Sequence, residues 1–136
     1  MEKYTLENDI KVLCVTAKSF PEGIVEAHQK MHSLVPLSDD RRYFGISRPN
    51  EGGKIVYKAA AEAIDPGEAD GFDGETFVIE SGRYVSQTVK DFRKDPESIG
   101  TVFRDLISRS DIDPNGCCVE WYLNENDVRC MVRLDQ

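Results

Sequence analysis

The pattern of apolar and polar positions predicts six β-strands, arranged as two strand–helix–hairpin units. Alternating or continuous apolar runs mark the strands, at residues 10–16, 43–48, 54–61, 76–89, 117–123 and 128–134. Turn-forming residues separate the paired runs and predict a hairpin in each unit. The Ser81-Gly82 pair interrupts the long fourth run, which predicts a bulge or bend there.

Two amphipathic helices are expected between the strands. Ser19 is the expected N-cap of the first, with Pro21 in its first turn, and Asp95 is the expected cap of the second, ahead of Pro96. Apolar residues recur at helical spacing in both segments: Ile24, Ala27, Met31 and Leu34 or Val35, then Ile99, Val102, Phe103, Leu106 and Ile107. Each helix should therefore bury one stripe against the sheet.

The element order predicts an α+β fold built as a duplicated βαββ unit within one domain, residues 1–136. The halves span about 7–63 and 76–134, and an acidic linker, 64–75, joins them. Residue identity between the halves is weak, so the duplication is inferred from element order alone. Two such units can form one antiparallel sheet with both helices packed on one face and a cleft between the halves.

The last hairpin places a carboxylate in the middle of a strand. If residues 124–127 form a symmetric turn, Leu123 pairs with Val128 and Trp121 with Cys130. Side chains alternate across a strand, so each face of the hairpin can be listed. The expected core face carries Val119, Trp121, Leu123, Val128, Cys130, Val132 and Leu134. The other face carries Cys118, Glu120, Tyr122, Arg129, Met131 and Arg133.

Glu120 has two interpretations. It is either half of a surface ion pair with Arg129 or Arg133, or a lone acid in an aromatic pocket. A buried carboxylate needs a partner, and charged strand residues usually lie on solvated faces. Taken alone, the residues favour the surface pair.

Composition narrows the classes of function. The formal net charge of −8 argues against direct binding to nucleic acid or to an anionic membrane, because both require a basic surface. No signal peptide or membrane-spanning run is visible, so a cytoplasmic location is expected. The four cysteines lack metal-site spacing, and the pair His28 and His32 lacks the glutamate of a metalloprotease motif. Surface histidines, and no metal or cofactor, are expected.

Four segments resemble the GyrI-like family, the effector-binding domain that also occurs at the C-terminus of bacterial multidrug-responsive transcription activators. They are Phe44-Gly45-Ile46-Ser47, the following strand with Tyr57, the segment from Val78 to Tyr84, and Val119-Glu120-Trp121-Tyr122. Their order and spacing cover residues 10–134. The sequence shows no DNA-binding helix-turn-helix segment, so a stand-alone domain is expected.

The resemblance implies that Glu120 lies at the base of an aromatic cavity and contacts a small amphipathic or cationic molecule, and it favours the pocket interpretation. The ligand-binding residues it implies are Glu120, Tyr122, Tyr57, Tyr84, Phe44, Met131 and Trp121. Strand alternation would instead place Trp121 in the core, and both positions stay open.

Three functions follow from these observations. The first is a small-molecule sensor or multidrug-type binding domain. The second is a hydrolase of cyclopropane-type electrophiles, in which Glu120 is the catalytic residue that directs water. The third is an inhibitor that acts by protein contact. The sequence leaves open whether the domain forms a homodimer or binds a protein partner.

Overall fold

The computed structural model describes residues 1–65, 67–72 and 74–136, and its framework is one curled antiparallel sheet. The eight strands are β1 (Glu2–Leu6), β2 (Ile10–Thr16), β3 (Tyr43–Pro49), β4 (Ile55–Glu62), β5 (Glu75–Ile79), β6 (Gly82–Val89), β7 (Cys118–Tyr122) and β8 (Val128–Arg133). The helices are α1 (Ile24–Leu34), α2 (Glu68–Gly71) and α3 (Glu97–Ile107), with a single 3-10 turn at Phe92–Lys94. The prediction of an α+β fold is confirmed. None of the helices in the described ranges is long and apolar enough to span a membrane.

The strand order is β1-β6-β8-β7-β3-β4-β2-β5. The strands β2 to β4 form one lateral half of the sheet, and the strands β6 to β8 form the other half. They meet at the central β3–β7 pair, where Gly45 lies opposite Glu120. This pairing brings the first hairpin against the last one, and so positions the candidate site.

The two outer strands differ from the expected pattern. β1 pairs with β6. The first nine residues gave no strand signal because they are mostly polar, and only Tyr4 and Leu6 turn toward the interior. The long run at 76–89 is two strands rather than one bent strand. β5 pairs with β2, and β6 pairs with β8 after Gly82, whose φ is +132°. Glycine adopts this backbone conformation without steric cost, so the chain can turn here and continue from one half of the sheet into the other.

Both long helices pack on one face of the sheet, which we call the helix face. On α1, Ala27 and Met31 contact a cluster that includes Leu13, Ala59 and Ala61. On α3, the buried residues Val102 and Leu106 contact Val85, Val128, Cys130, Val132 and Leu134. The strand registers place these two sets of sheet residues on the same face. A separate core that includes Phe44, Ile46, Val119 and Met131 fills the opposite face.

The register predicted for the last hairpin is wrong by one residue. Tyr122, not Leu123, pairs with Val128, and Glu120 pairs with Cys130. The cause is a longer turn, in which the Leu123 N–H donates to the Asp127 carbonyl. The shift moves Val119 and Trp121 away from the face of Val128, Cys130 and Val132. The predicted single core face of this hairpin is therefore divided between the two sides of the sheet.

The helix starts also differ from the expected ones. α1 begins at Ile24 after Gly23, because residues around Pro21 form a turn in which the Gly23 N–H donates to the Ser19 carbonyl. α3 begins at Glu97, and Asp95 makes no side-chain cap hydrogen bond. The apolar stripes were placed correctly except at Ile107, which is exposed, since stripes depend on spacing whereas starts depend on local turn geometry.

The acidic linker contains the short helix α2, anchored by one buried arginine. Arg41, 8% exposed, donates to both carboxylate oxygens of Glu68, at 3.0 and 2.8 Å, and to the Glu62 carbonyl at 2.6 Å. Glu68 also accepts the backbone N–H groups of Ile64 and Asp65. The described part of the linker is therefore tied to the start of β3, and is more than the solvated connector that its composition suggested.

Candidate functional site

Glu120 belongs to a cluster with two tyrosines and one histidine. Its Oε1 accepts hydrogen bonds from the Tyr122 hydroxyl at 2.5 Å and the Tyr57 hydroxyl at 3.2 Å. The Tyr57 oxygen also lies 2.8 Å from His28 Nε2 and 3.1 Å from the Tyr122 oxygen. We call these four residues the Glu120 cluster.

The sheet geometry explains three members of the cluster. Glu120 and Tyr122 are two residues apart on β7, so both project from the helix face. Tyr57 on β4 pairs with Ser47 and leans over Gly45, which is the residue opposite Glu120. Since Gly45 has no side chain, the two hydroxyls can reach the carboxylate above bare backbone.

The fourth member, His28, comes from α1 and was not predicted. It is half-buried rather than a surface residue, and its ring makes edge contacts with Tyr57 and Tyr122 at centroid distances of 5.7 and 5.5 Å. One sequence signal could have found it. His28 lies four residues after Ile24, so it borders the buried stripe of the helix instead of opposing it.

Burial dominates the electrostatics of the cluster. It raises the pKa of Glu120, while the hydrogen bonds from Tyr122 and Tyr57 act in the opposite direction. Burial, with the nearby Glu120 charge, raises the pKa of both Tyr57 and Tyr122, so they remain neutral donors. Burial lowers the pKa of His28 to about 4, with a smaller contribution from His32, so its ring is uncharged at neutral pH.

Neither arginine proposed as a partner reaches Glu120. Arg129 lies over the rings of Tyr4 and Trp121 on the opposite face, at 4.5 and 5.0 Å. Arg133 pairs with Asp113 and donates to the Ser81 carbonyl. Within the described ranges no salt bridge involves Glu120. The surface-pair interpretation of Glu120 is therefore wrong.

A groove of about 630 Å³ opens on the helix face above the cluster. Its walls come from α1, the loop after α1, the 3-10 turn and the last hairpin: Ile24, Val25, His28, Gln29, His32, Leu37, Ser38, Asp39, Arg41, Tyr43, Phe92, Arg93, Tyr122, Leu123, Asn124 and Glu125. His28 and Tyr122 belong to both the groove and the cluster. Glu120 and Tyr57 are not wall residues of the groove, and they are linked to it by the hydrogen bonds of Tyr122 and His28.

The structure divides the predicted ligand-binding residues between the two faces. Glu120, Tyr122 and Tyr57 come together in the cluster. Four others lie on the opposite face, within or against its core: Phe44, Tyr84, Met131 and Trp121. The register shift explains Met131, which pairs with Val119, whereas Trp121 follows Glu120 on β7 and lies on the opposite face in any register. Phe44 pairs with Trp121, and Tyr84 instead donates its hydroxyl to the Glu80 carbonyl, so neither contacts Glu120.

The fold has solved counterparts. An integron cassette protein from the mobile metagenome of Vibrio cholerae superposes with a TM-score of 0.73 at 13% identity, over 98% of this chain and 94% of that chain. The protein SAV2435 bound to tetraphenylphosphonium gives 0.66 at 11% identity, over 98% and 94%. A hydrolase from Listeria innocua gives 0.58 at 12% identity, over 98% and 90%.

At such low identity, these likenesses show the fold alone. No family model matches the chain, and neither does any curated protein sequence.

Proposed function

We propose that the chain is a GyrI-like small-molecule-binding domain that takes amphipathic cations in the groove on its helix face, with Glu120 as the anionic anchor. The observation that carries the proposal is the Glu120 carboxylate, held by two tyrosine hydroxyls beneath an aromatic groove without a basic partner among the described residues. Charge pairing and the ring faces of the groove both favour a cation.

Two further observations support this proposal. The aromatic rings of Tyr43, Phe92 and Tyr122 line the groove, together with apolar side chains of α1. The bound ligand of the SAV2435 structure, tetraphenylphosphonium, is itself a lipophilic cation on a similar fold.

The order of strands on the two sides of the β3–β7 pair supports a separate inference, that the chain is built as a duplicated βαββ unit.

The test is Glu120→Gln, measured by calorimetric titration with tetraphenylphosphonium. The substitution keeps the shape of the side chain and removes its charge. Loss of the negative charge beneath the groove should weaken binding by about 1–3 kcal/mol. The free energy of unfolding should change little or increase, because a half-buried carboxylate without a basic partner in the described ranges is costly.

Glu125→Gln is the matched control, because Glu125 is exposed on the rim of the same groove. It removes the same charge without touching the cluster, and should change affinity by less than about 0.5 kcal/mol. Equal affinities of wild type and Glu120→Gln would refute the anchor role.

A hydrolase is the second candidate function, and the short Tyr122–Glu120 hydrogen bond favours it. A carboxylate with raised pKa beside a neutral phenol can direct water and donate a proton to a leaving group. Turnover of a cyclopropane electrophile that disappears in Glu120→Gln, with tetraphenylphosphonium affinity retained, would establish the hydrolase in place of the sensor.

A further inference from the structure

The hydrogen bonds of the Glu120 cluster determine which nitrogen of His28 carries the proton. Glu120 Oε1 accepts from Tyr122 and Tyr57, so the Tyr57 proton points to the carboxylate. The Tyr57 oxygen then needs a donor from His28 Nε2, which lies 2.8 Å away. If Nε2 were instead an acceptor, it would take the Tyr57 proton, and the contact between Tyr57 and Glu120 would join two acceptors. The Nε2–H tautomer makes the His28–Tyr57, Tyr57–Glu120 and Tyr122–Glu120 contacts donor–acceptor pairs.

The same tautomer leaves His28 Nδ1 with a free lone pair. Nδ1 has no hydrogen-bond partner in the described part of the chain, and it is not fully buried. It therefore keeps some exposed surface, and His28 is a wall residue of the groove. Burial holds the ring neutral, with a pKa of about 4, so the lone pair is retained at neutral pH.

We propose that His28 Nδ1 makes the groove select cations that carry an N–H bond, such as protonated amines and amidines, over permanently alkylated cations of the same shape. The proposal rests on the proposed binding function and adds a specificity-determining residue to it. Glu120 attracts either kind of cation through its charge, whereas only an N–H donor can satisfy the acceptor on His28. The preferred ligand is then an apolar aromatic body with a protonated nitrogen.

The test compares two probes with one aromatic body: protonated naphthylmethyl-dimethylamine and naphthylmethyl-trimethylammonium. An extra charge-assisted hydrogen bond should make the affinity ratio, amine over trimethylammonium, about tenfold larger in wild type than in His28→Phe. His32→Phe is the matched control, because His32 lines the same groove one turn along α1 but its ring contacts Tyr43, at a tilted angle, rather than the cluster. Its affinity ratio should equal that of wild type.

The outcomes separate this inference from the proposed function. Equal ratios in wild type and His28→Phe, or failure of both probes to bind wild type, would overturn the selectivity. If Glu120→Gln still weakens tetraphenylphosphonium in that case, the binding function stands without it. If Glu120→Gln leaves that affinity unchanged, the anchor role fails whatever the ratio.

A second measurement needs no ligand and observes the tautomer in the wild-type chain. Nitrogen-15 NMR of the histidine rings in the wild-type chain should show a protonated, pyrrole-type Nε2 and an unprotonated, pyridine-type Nδ1 for His28. The His28→Phe spectrum assigns the resonance. A pyridine-type Nε2 would refute the tautomer and with it the selectivity.

Discussion

Gly45 lies directly beneath the hydroxyl of Tyr57: a Cβ atom built on Gly45 would stand 2.1 Å from the Tyr57 oxygen and 2.8 Å from Glu120 Oε1. No side chain can occupy that volume while the two oxygens keep their positions. The Glu120 cluster therefore depends on a bare backbone in the neighbouring strand. The requirement concerns space rather than backbone freedom, and it links the first hairpin to the last one.

Gly45→Ala should dismantle the cluster. The added methyl group pushes Tyr57 away from Glu120, which removes one hydroxyl donor from a half-buried carboxylate. Overpacking of this kind should lower the free energy of unfolding by about 1–3 kcal/mol. Tetraphenylphosphonium binding, measured by titration calorimetry, should weaken at least as much as it does in Glu120→Gln.

Gly100→Ala is the control for that substitution. Gly100 lies on α3, and its added Cβ would meet nothing within 4 Å. Alanine is the better helix former, so stability should increase by about 0.4–1 kcal/mol and ligand affinity should not change. Wild-type affinity in Gly45→Ala would mean that ligand binding does not use the cluster.

The cluster should also give His28 a visible effect on acid stability. Its pKa is about 4 in the folded state against an ordinary 6.5, so between these values the unfolded state binds a proton that the folded state does not. The free energy of unfolding therefore keeps the full contribution of neutral His28 above pH 6.5. It loses up to about 3 kcal/mol of that contribution as pH falls toward 4. Glu120 acts in the opposite direction, because its raised pKa stabilises the folded state as pH falls through that pKa.

Urea unfolding of wild type and His28→Phe at pH 7 and pH 4.5 measures this effect. Contributions of groups outside the cluster, common to both chains, cancel in the difference. His28→Phe should gain stability relative to wild type as the pH falls. A difference that does not depend on pH would place His28 in a solvated environment.

The sequence was sufficient for the fold class and for part of the site. Strand alternation alone places Glu120 and Tyr122 on one face, whatever the pairing partner. It could not give the register of β7 against β8, because the turn includes Leu123 and so has five residues instead of four. That single residue transferred Met131 to the other face, whereas Trp121 lies on the face opposite Glu120 in any register. Phe44 was assigned to the cleft through the family resemblance, but it precedes Gly45 on β3 and so lies on the face opposite Glu120.

Arg41→Ala should release the linker from the sheet. It removes both hydrogen bonds to the Glu68 carboxylate and leaves that carboxylate with only the backbone donors of Ile64 and Asp65. Breaking a buried pair from one side should cost about 3 kcal/mol. Hydrogen exchange of the Ile64 and Asp65 amides should accelerate far more than exchange in α3. Uniform acceleration across the whole chain would instead indicate loss of global stability alone.

Trp121→Ala should separate the two faces of the sheet. Trp121 lies on the opposite face from Glu120, between the guanidinium groups of Arg42 and Arg129 at 5.5 and 5.0 Å, and 5.8 Å from the Phe44 ring. Trp121 is only partly buried, so its removal should lower the free energy of unfolding by about 2–4 kcal/mol. The upper end of this range is below the cost of removing a fully buried tryptophan.

Tetraphenylphosphonium affinity in the folded Trp121→Ala variant should stay within about twofold of wild type, since the indole touches neither the groove nor the cluster. Trp121→Phe is the matched variant, because it keeps an aromatic ring against Phe44 and should recover more than half of the lost stability. Urea unfolding and calorimetric titration on the same three chains give both quantities. A tenfold loss of affinity in a well-folded Trp121→Ala chain would show that the ligand binds on the opposite face, and the groove above Glu120 would then not be the binding site.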